Sequence, residues 1–234
     1  MTKPSRPART AEARARVLRH SALLAIVAVV CTTHSSAADS PASAPRHESA
    51  ASERSPIDLV TESVTRVVTV VQSEPGTASL SAPRRAQIRR IAEELFDFDE
   101  MARRALGQHW KDRSPQEQAE FVTLFVNLLE RSYLTAVGSY PLSTITFQSE
   151  NVSGAYAEVR SRIVSNRREI PIEYRLLQSG GRWAVYDVVA GGVSLISSYR
   201  SQFSSIIRTS SFPQLLERLR SREANVGANP RQGP

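Results

Sequence analysis

The chain has 234 residues and a formal net charge of +7, from 30 lysines and arginines against 23 aspartates and glutamates. That length supports one domain with a substantial core, which excludes the small scaffolds held together by disulfides or a structural metal. Such a basic balance ordinarily points to nucleic acid. Six of the cations, however, fall within residues 1–37, and beyond them 24 basic residues face 22 acidic ones, so no nucleic-acid partner is expected.

Lys3, Arg6, Arg9, Arg14, Arg16 and Arg19 precede the apolar run 22–30, and a small polar stretch then ends at Ala37 and Ala38. A positive segment, a short apolar run and a small-x-small site together make a secretory signal peptide. The run is too short to span a bilayer, which takes about 20 apolar residues. Cleavage is expected after Ala37 or Ala38. Residues 38–54 are rich in Pro, Ala and Ser and have the composition of a disordered linker. A folded domain is expected over 55–222, followed by a disordered tail over 223–234.

Loss of the leader removes Cys31, His20 and His34, so the mature chain lacks cysteine and carries only His109 in its folded part. Thiol catalysis and histidine-cluster metal sites are thereby excluded, and no metal or cofactor is expected. There is no G-x-S-x-G elbow, S-x-x-K pair or Gly-rich phosphate loop.

In the folded part, Ser55-Pro56 reads as a helix cap followed by a first-turn proline. Ile57, Val60, Val64, Val67 and Val71 then recur at helical spacing to about Ser73. Pro75-Gly76 marks a loop. A second helix starts near Pro83, with Ile88, Ile91 and Leu95 on one face and Arg84, Arg85, Arg89 and Arg90 on the other. Asp97 or Asp99 caps a short helix that ends near Gly107. Ser114-Pro115 with Glu117 repeats the start signal, and between Phe121 and Leu129 only Thr123 and Asn127 are polar. A helix that apolar has more than one buried face.

From Thr144 the period changes to two. Ile145 and Phe147 begin a strand. A second strand sets Ala155, Ala157, Val159, Ser161 and Ile163 against Tyr156, Glu158, Arg160 and Arg162, and a third sets Ile170, Ile172, Tyr174 and Leu176 against Pro171, Glu173 and Arg175. Pro171 suits an edge or a bulge. Gly180-Gly181 turns the chain into a fourth strand, Trp183–Val189, which Gly191-Gly192 ends. Val193–Arg208 and Pro213–Arg222 return to helix. The fold class is α+β: an antiparallel four-stranded meander covered on one face by N- and C-terminal helices. Small inward residues opposite bulky helical ones suit either a filled core or a cavity for a long apolar ligand.

Three strings extend this reading: FDFDEMARRALGQHW over 96–110, the Ser114-Pro-Gln-Glu-Gln118 helix start with Phe121 and Phe125, and WAVYDVVAGGVSLISSYRSQF over 183–203. Together they resemble the MlaC family of periplasmic phospholipid-binding proteins, over nearly all of 55–222. The resemblance implies a cone-like fold with acyl chains inserted between sheet and helices. It also implies a periplasmic, non-enzymatic carrier that passes glycerophospholipid between an outer-membrane lipoprotein–porin complex and an inner-membrane ABC transporter. Gly191 departs from the family, which carries an acidic residue before Gly192, so no role of that carboxylate transfers.

On this reading the helices contribute Phe98, Met101, Phe121, Leu124, Phe125, Leu128, Leu129 and Tyr133 to the lipid pocket. The sheet contributes Ala157, Val159, Ile163, Ile172, Tyr174 and Val185, and the last segment Val193, Tyr199 and Phe203. Arg84, Arg85, Arg89 and Arg90 are expected to steer docking of a monomeric carrier onto its partners. A second reading is an enzyme for a small hydrophobic substrate, with Asp187 and Tyr174 or Tyr199 as its acid and base. Asp187 alternatively anchors the Gly191-Gly192 turn. A scaffold that binds only proteins is a third reading.

Overall fold

The computed structural model describes residues 54–73, 80–137, 144–165 and 168–227. The expected leader, its cleavage sites and nearly all of the linker lie outside these residues. Helix α1 (Pro56–Gln72) starts as the sequence predicts, with Ser55 Oγ accepting the Asp58 N–H and a proline in the first turn. Helix α2 (Ala82–Leu95) buries Ile88, Ile91 and Leu95. Asp97 is the residue that caps α3 (Phe98–Leu106), accepting the Glu100 N–H at 2.9 Å. A single 3-10 turn over Gly107–Trp110 leads to α4 (Pro115–Val137). There Ser114 and Glu117 exchange backbone-to-side-chain hydrogen bonds, a reciprocal capping box.

The sheet runs β1 (Thr144–Ser153), β2 (Tyr156–Ser165), β3 (Arg168–Ser179), β4 (Arg182–Ala190) and β5 (Val193–Ser194) in sequential order, every pair antiparallel. The meander therefore has five strands where the sequence predicts four. Gly191 and Gly192 adopt φ of +56° and +80°, the left-handed pair that a two-residue hairpin turn requires. The chain thus folds straight back onto β4 before α5 (Leu195–Thr209) begins. Ala155, expected on the inward face of the second strand, lies exposed in the preceding turn. Pro171 sits in the middle strand opposite the end of β4, where its carbonyl accepts the Gly191 N–H at 2.9 Å. Its missing donor faces a partner strand that has already turned away. The last helix, α6 (Phe212–Gly227), continues beyond Arg222, where the sequence places its end.

Two cores result. Inward residues of β2 to β4, among them Val159, Ile163, Ile172, Leu176 and Val185, pack beneath α1. Helices α3 to α6 form the other, built on Phe121, Phe125 and Phe203. Phe203 stands edge-on to Phe121 and Phe125 at 5.6 and 5.8 Å, an arrangement aromatic quadrupoles favour. No helix among the described residues is long and apolar enough to cross a membrane.

Arg84 corrects the expectation of a solvated arginine face. It is 6% exposed, and its guanidinium donates to the carbonyls of Val70 and Val71 at the end of α1. In the last turn the helix supplies these carbonyls no backbone donor; Ser73 Oγ also donates to the Val70 carbonyl, and Arg84 reaches both from α2 and ties the two helices together. Arg84→Met is expected to lower the unfolding free energy by about 2 kcal/mol, read from urea denaturation.

Glu100 supplies a pH-dependent tie. Burial pushes its carboxyl upward, but hydrogen bonds from Arg103 and Arg104 outweigh this and hold it below its ordinary value. A carboxyl depressed in the folded state stabilises the fold above its unfolded value and loses that contribution as pH falls through the folded one. Glu100→Gln is therefore expected to lower the melting temperature at neutral pH and to flatten its decline through the acidic range, as followed by circular dichroism.

Candidate functional site

Helix α4 uses both of its apolar sides. Phe121, Leu124, Phe125 and Leu128 enter the helical core, whereas Val126, Leu129 and Tyr133 face a cavity of about 170 Å³. The opposite walls come from Val64 and Val67 of α1 and from Ile88, Ile91, Ala92 and Leu95 of α2. Phe96, Phe98 and Met101 close one end, and Tyr174, Val188 and Leu195 form the floor where sheet and α5 meet. Ser63, Arg89 and Glu130 add the remaining polar groups.

The charged groups stand at the rim. Arg89 Nη2 donates to Glu130 Oε2 at 2.5 Å, linking α2 to α4, with the arginine side chain 52% exposed and the glutamate 21%. Both residues also line a second, polar cleft on the outer side, together with Ala82, Arg85, Ala86, Arg90 and Glu93. The hydrogen bond from Arg89 to Glu130, with the charge of Glu130 behind it, raises the guanidinium above its ordinary value. Deeper in, burial drives the Tyr133 hydroxyl upward, with Tyr199 adding to the shift. Tyr174 is pushed up to about 12 by burial, which a nearby Ser161 hydroxyl partly counteracts. At neutral pH both tyrosine hydroxyls are thus uncharged.

Of the residues the sequence assigns to the pocket, Phe98, Met101, Leu129, Tyr133 and Tyr174 line this cavity. Phe121, Leu124, Phe125, Leu128 and Phe203 are instead consumed in the helical core, with Tyr199 packed against them. Ala157, Val159, Ile163, Ile172 and Val185 fill the core beneath α1. Val193 is 40% exposed on β5. The sequence reading missed the α1 and α2 wall: Val64, Val67, Ile88, Ile91 and Leu95 were visible as helical stripes, with nothing to distinguish a stripe facing a cavity from one facing a core. Of the arginines, Arg84 is buried, Arg85 and Arg90 are exposed around the polar cleft, and Arg89 stands at the cavity rim.

Asp187 and Tyr174 do not come together: Asp187 pairs across the strands with Arg175, on the sheet face opposite Tyr174. Tyr199 packs against the helical core, its ring edge-on to Phe125. Asp187 is 4% exposed; its carboxylate accepts the Ser194 hydroxyl at 2.7 Å and the Ile196 N–H at 3.1 Å. It holds Ser194 of β5 and the first turn of α5, just beyond the Gly191-Gly192 turn that the sequence reading offered as its anchor point.

A family model described as MlaC protein matches residues 61–221. The chain is 25% identical over 122 residues to the intermembrane phospholipid transport system binding protein MlaC of Haemophilus influenzae, a match covering 50% of this chain and 57% of that protein. The matched segment thus spans little more than half of that relative's length. A solved structure of a phospholipid-binding protein from Ralstonia solanacearum, in complex with a phospholipid, superposes with a TM-score of 0.67. It shares 22% identity and covers 74% of this chain and 99% of its own, a likeness of fold.

Removing the Asp187 carboxylate leaves a buried N–H and a hydroxyl without an acceptor. Asp187→Ala is expected to cost about 2–3 kcal/mol of stability, measured by urea denaturation, with Asp187→Asn retaining part of it.

Proposed function

Because the chain belongs to the MlaC family, we propose that it is a carrier of glycerophospholipid which shelters acyl chains in the cavity between α1, α2, α4 and the sheet. The observation that carries this reading is the cavity itself: apolar walls, uncharged hydroxyls inside and ionised groups confined to its rim. Each methylene exposed to water costs about 0.8 kcal/mol. Two chains of about 16 carbons therefore carry a penalty on the order of 25 kcal/mol. A molecule that moves such a lipid through water must hide the tails; the cavity of about 170 Å³ takes only part of one chain as it stands, so α1 and α2 must part from α4 and the sheet to admit the rest.

Binding and release, without a chemical step, is the proposed activity, since Asp187 is engaged by Arg175, Ser194 and the Ile196 N–H and Tyr174 lies on the other face of the sheet. We place the mature protein in the periplasm on the strength of the leader pattern over residues 1–37. Its proposed route runs between an outer-membrane lipoprotein–porin complex and an inner-membrane ABC transporter, and the name of the Haemophilus relative supports an intermembrane role. Arg85 and Arg90, exposed beside the mouth, are the proposed docking charges. They act mainly on association rate and are weakened by salt.

Organic extraction of the purified mature protein, followed by mass spectrometry, is expected to release phospholipid with two acyl chains. Protein that yields none and takes none up from phospholipid vesicles would contradict the proposal. The cavity walls also separate two substitutions of equal size. Ala92→Trp, on the wall, is expected to abolish most lipid retention with little change in melting temperature. Ala157→Trp, in the filled core, is expected to cost roughly 1–3 kcal/mol of stability through overpacking, while its folded fraction keeps its lipid.

A further inference from the structure

The polar cleft outside the mouth is cationic and shares two residues with the apolar cavity. Arg85 and Arg89 lie one turn apart on α2, a spacing that places their Cβ atoms about 5–6 Å from each other. Ala82 and Ala86 present only methyl groups beside them, which leaves the floor of the cleft open. Arg90 completes three cations, against the carboxylates of Glu93 and Glu130. Arg85 is tethered by its own Nη1, which donates to the Leu80 carbonyl at 2.7 Å. Arg89 donates its Nη2 to Glu130 and lies within electrostatic reach of Glu93, and a guanidinium carries five N–H donors in a fixed fork. One contact leaves most of that fork available.

A ligand that meets both the cavity and the cleft has an apolar tail and an anionic head, joined within the reach of one arginine side chain. A carboxylate offers two oxygens in a plane. A phosphodiester offers oxygens to more than one guanidinium at once, which matches arginines arrayed along a helix face. We propose that Arg89, flanked by Arg85 and Arg90, binds the phosphodiester of the cargo, and that Glu130 holds the Arg89 guanidinium across the mouth until the phosphate replaces it. This rests on the carrier reading above and assigns that site its polar half. Glu130 is then a competitor for the arginine: it keeps the rim closed by an internal ion pair and is displaced when a phosphate-bearing lipid seats.

The test uses two fluorescent lipids with identical acyl chains, one a phosphatidylglycerol and one a diacylglycerol, presented to the mature protein and to Arg89→Gln, Arg89→Lys and Glu130→Gln. Arg89→Gln is expected to weaken phosphatidylglycerol binding about tenfold, the loss of one charge-assisted contact, and to leave diacylglycerol binding unchanged. Arg89→Lys is expected to restore part of the loss. Glu130→Gln removes the competitor and is expected to tighten phosphatidylglycerol binding several-fold, again without effect on diacylglycerol. Millimolar inorganic phosphate is expected to leave the bound lipid in place. An equal loss of both lipids in Arg89→Gln, or no loss of phosphatidylglycerol, would overturn the assignment. Displacement by inorganic phosphate would give the arginines to the free ion and overturn the headgroup role. Failure of the unmodified protein to bind either lipid would overturn the carrier reading as well, whereas equal binding of both with no response to Arg89 would overturn this inference alone.

Discussion

Helix α4 must bury two apolar sides at once, and what meets the second side decides whether the molecule is solid or hollow. The first side closes against Phe203, Phe212 and the rest of the helical core. The second faces α1 and α2, which would fill the space if they were free to settle inward, because protein interiors pack to the density of organic crystals. They are pinned instead at their ends. Phe96, just past α2, pairs with Val185 at the edge of β4, and the Asp97 N–H donates to the Val185 carbonyl at 2.9 Å. Arg84 closes α1 from α2, and an Arg66–Glu94 ion pair ties the same two helices. Arg104 lies over the Tyr186 ring at 3.9 Å and fixes α3 to the sheet. These contacts hold α1, α2 and α3 in the frame that surrounds the cavity.

This division explains what could be read from the sequence. Helix starts are local: Ser55-Pro56, Asp97 and Ser114-Pro115 each declare one within four residues, and each is found where it was expected. Strand alternation is local too, and so the meander was legible, apart from a two-residue β5 too short to show a period. Which apolar stripe faces a cavity is not local. Phe125 and Leu129 stand four residues apart on one helix and share its core, yet only Leu129 also reaches the cavity. Only the docking of α1 and α2 separates them. Arg84 and Arg85 are neighbours in an arginine-rich stretch, and nothing in that stretch says that one will be drawn inward by the carbonyls of another helix. The Asp187 anchor stood at the margin of legibility, since an acid shortly before a Gly-Gly turn is a common way of holding one.

The outer face of the sheet shows what becomes of the remaining charge. Arg160 pairs with Glu158, Arg162 with Glu169 and Arg175 with Glu173, all at 2.5–2.6 Å and all substantially exposed on at least one side. Exposed pairs of this kind contribute little to stability. Their effect is to cancel charge locally across that face, whereas the α2 cleft gathers three arginines against two carboxylates. The cleft beside the cavity mouth thus carries a net positive charge, although the domain as a whole is nearly neutral.

On the proposed carrier role, the energetics of transfer follow from the same geometry. Tails that pass from a bilayer into this cavity exchange one apolar environment for another, so most of the penalty for exposing them to water cancels between the two ends of the journey. Small terms then decide direction. Acyl carbon in the cavity supplies packing contacts that its empty walls lack, a gain that lasts only while cargo is held. A charge-assisted contact at the rim is worth roughly 1.5–3 kcal/mol. On the proposed headgroup site, a partner that draws the headgroup away from the arginines offsets part of what binding gains, and it need not touch the tails to begin emptying the cavity.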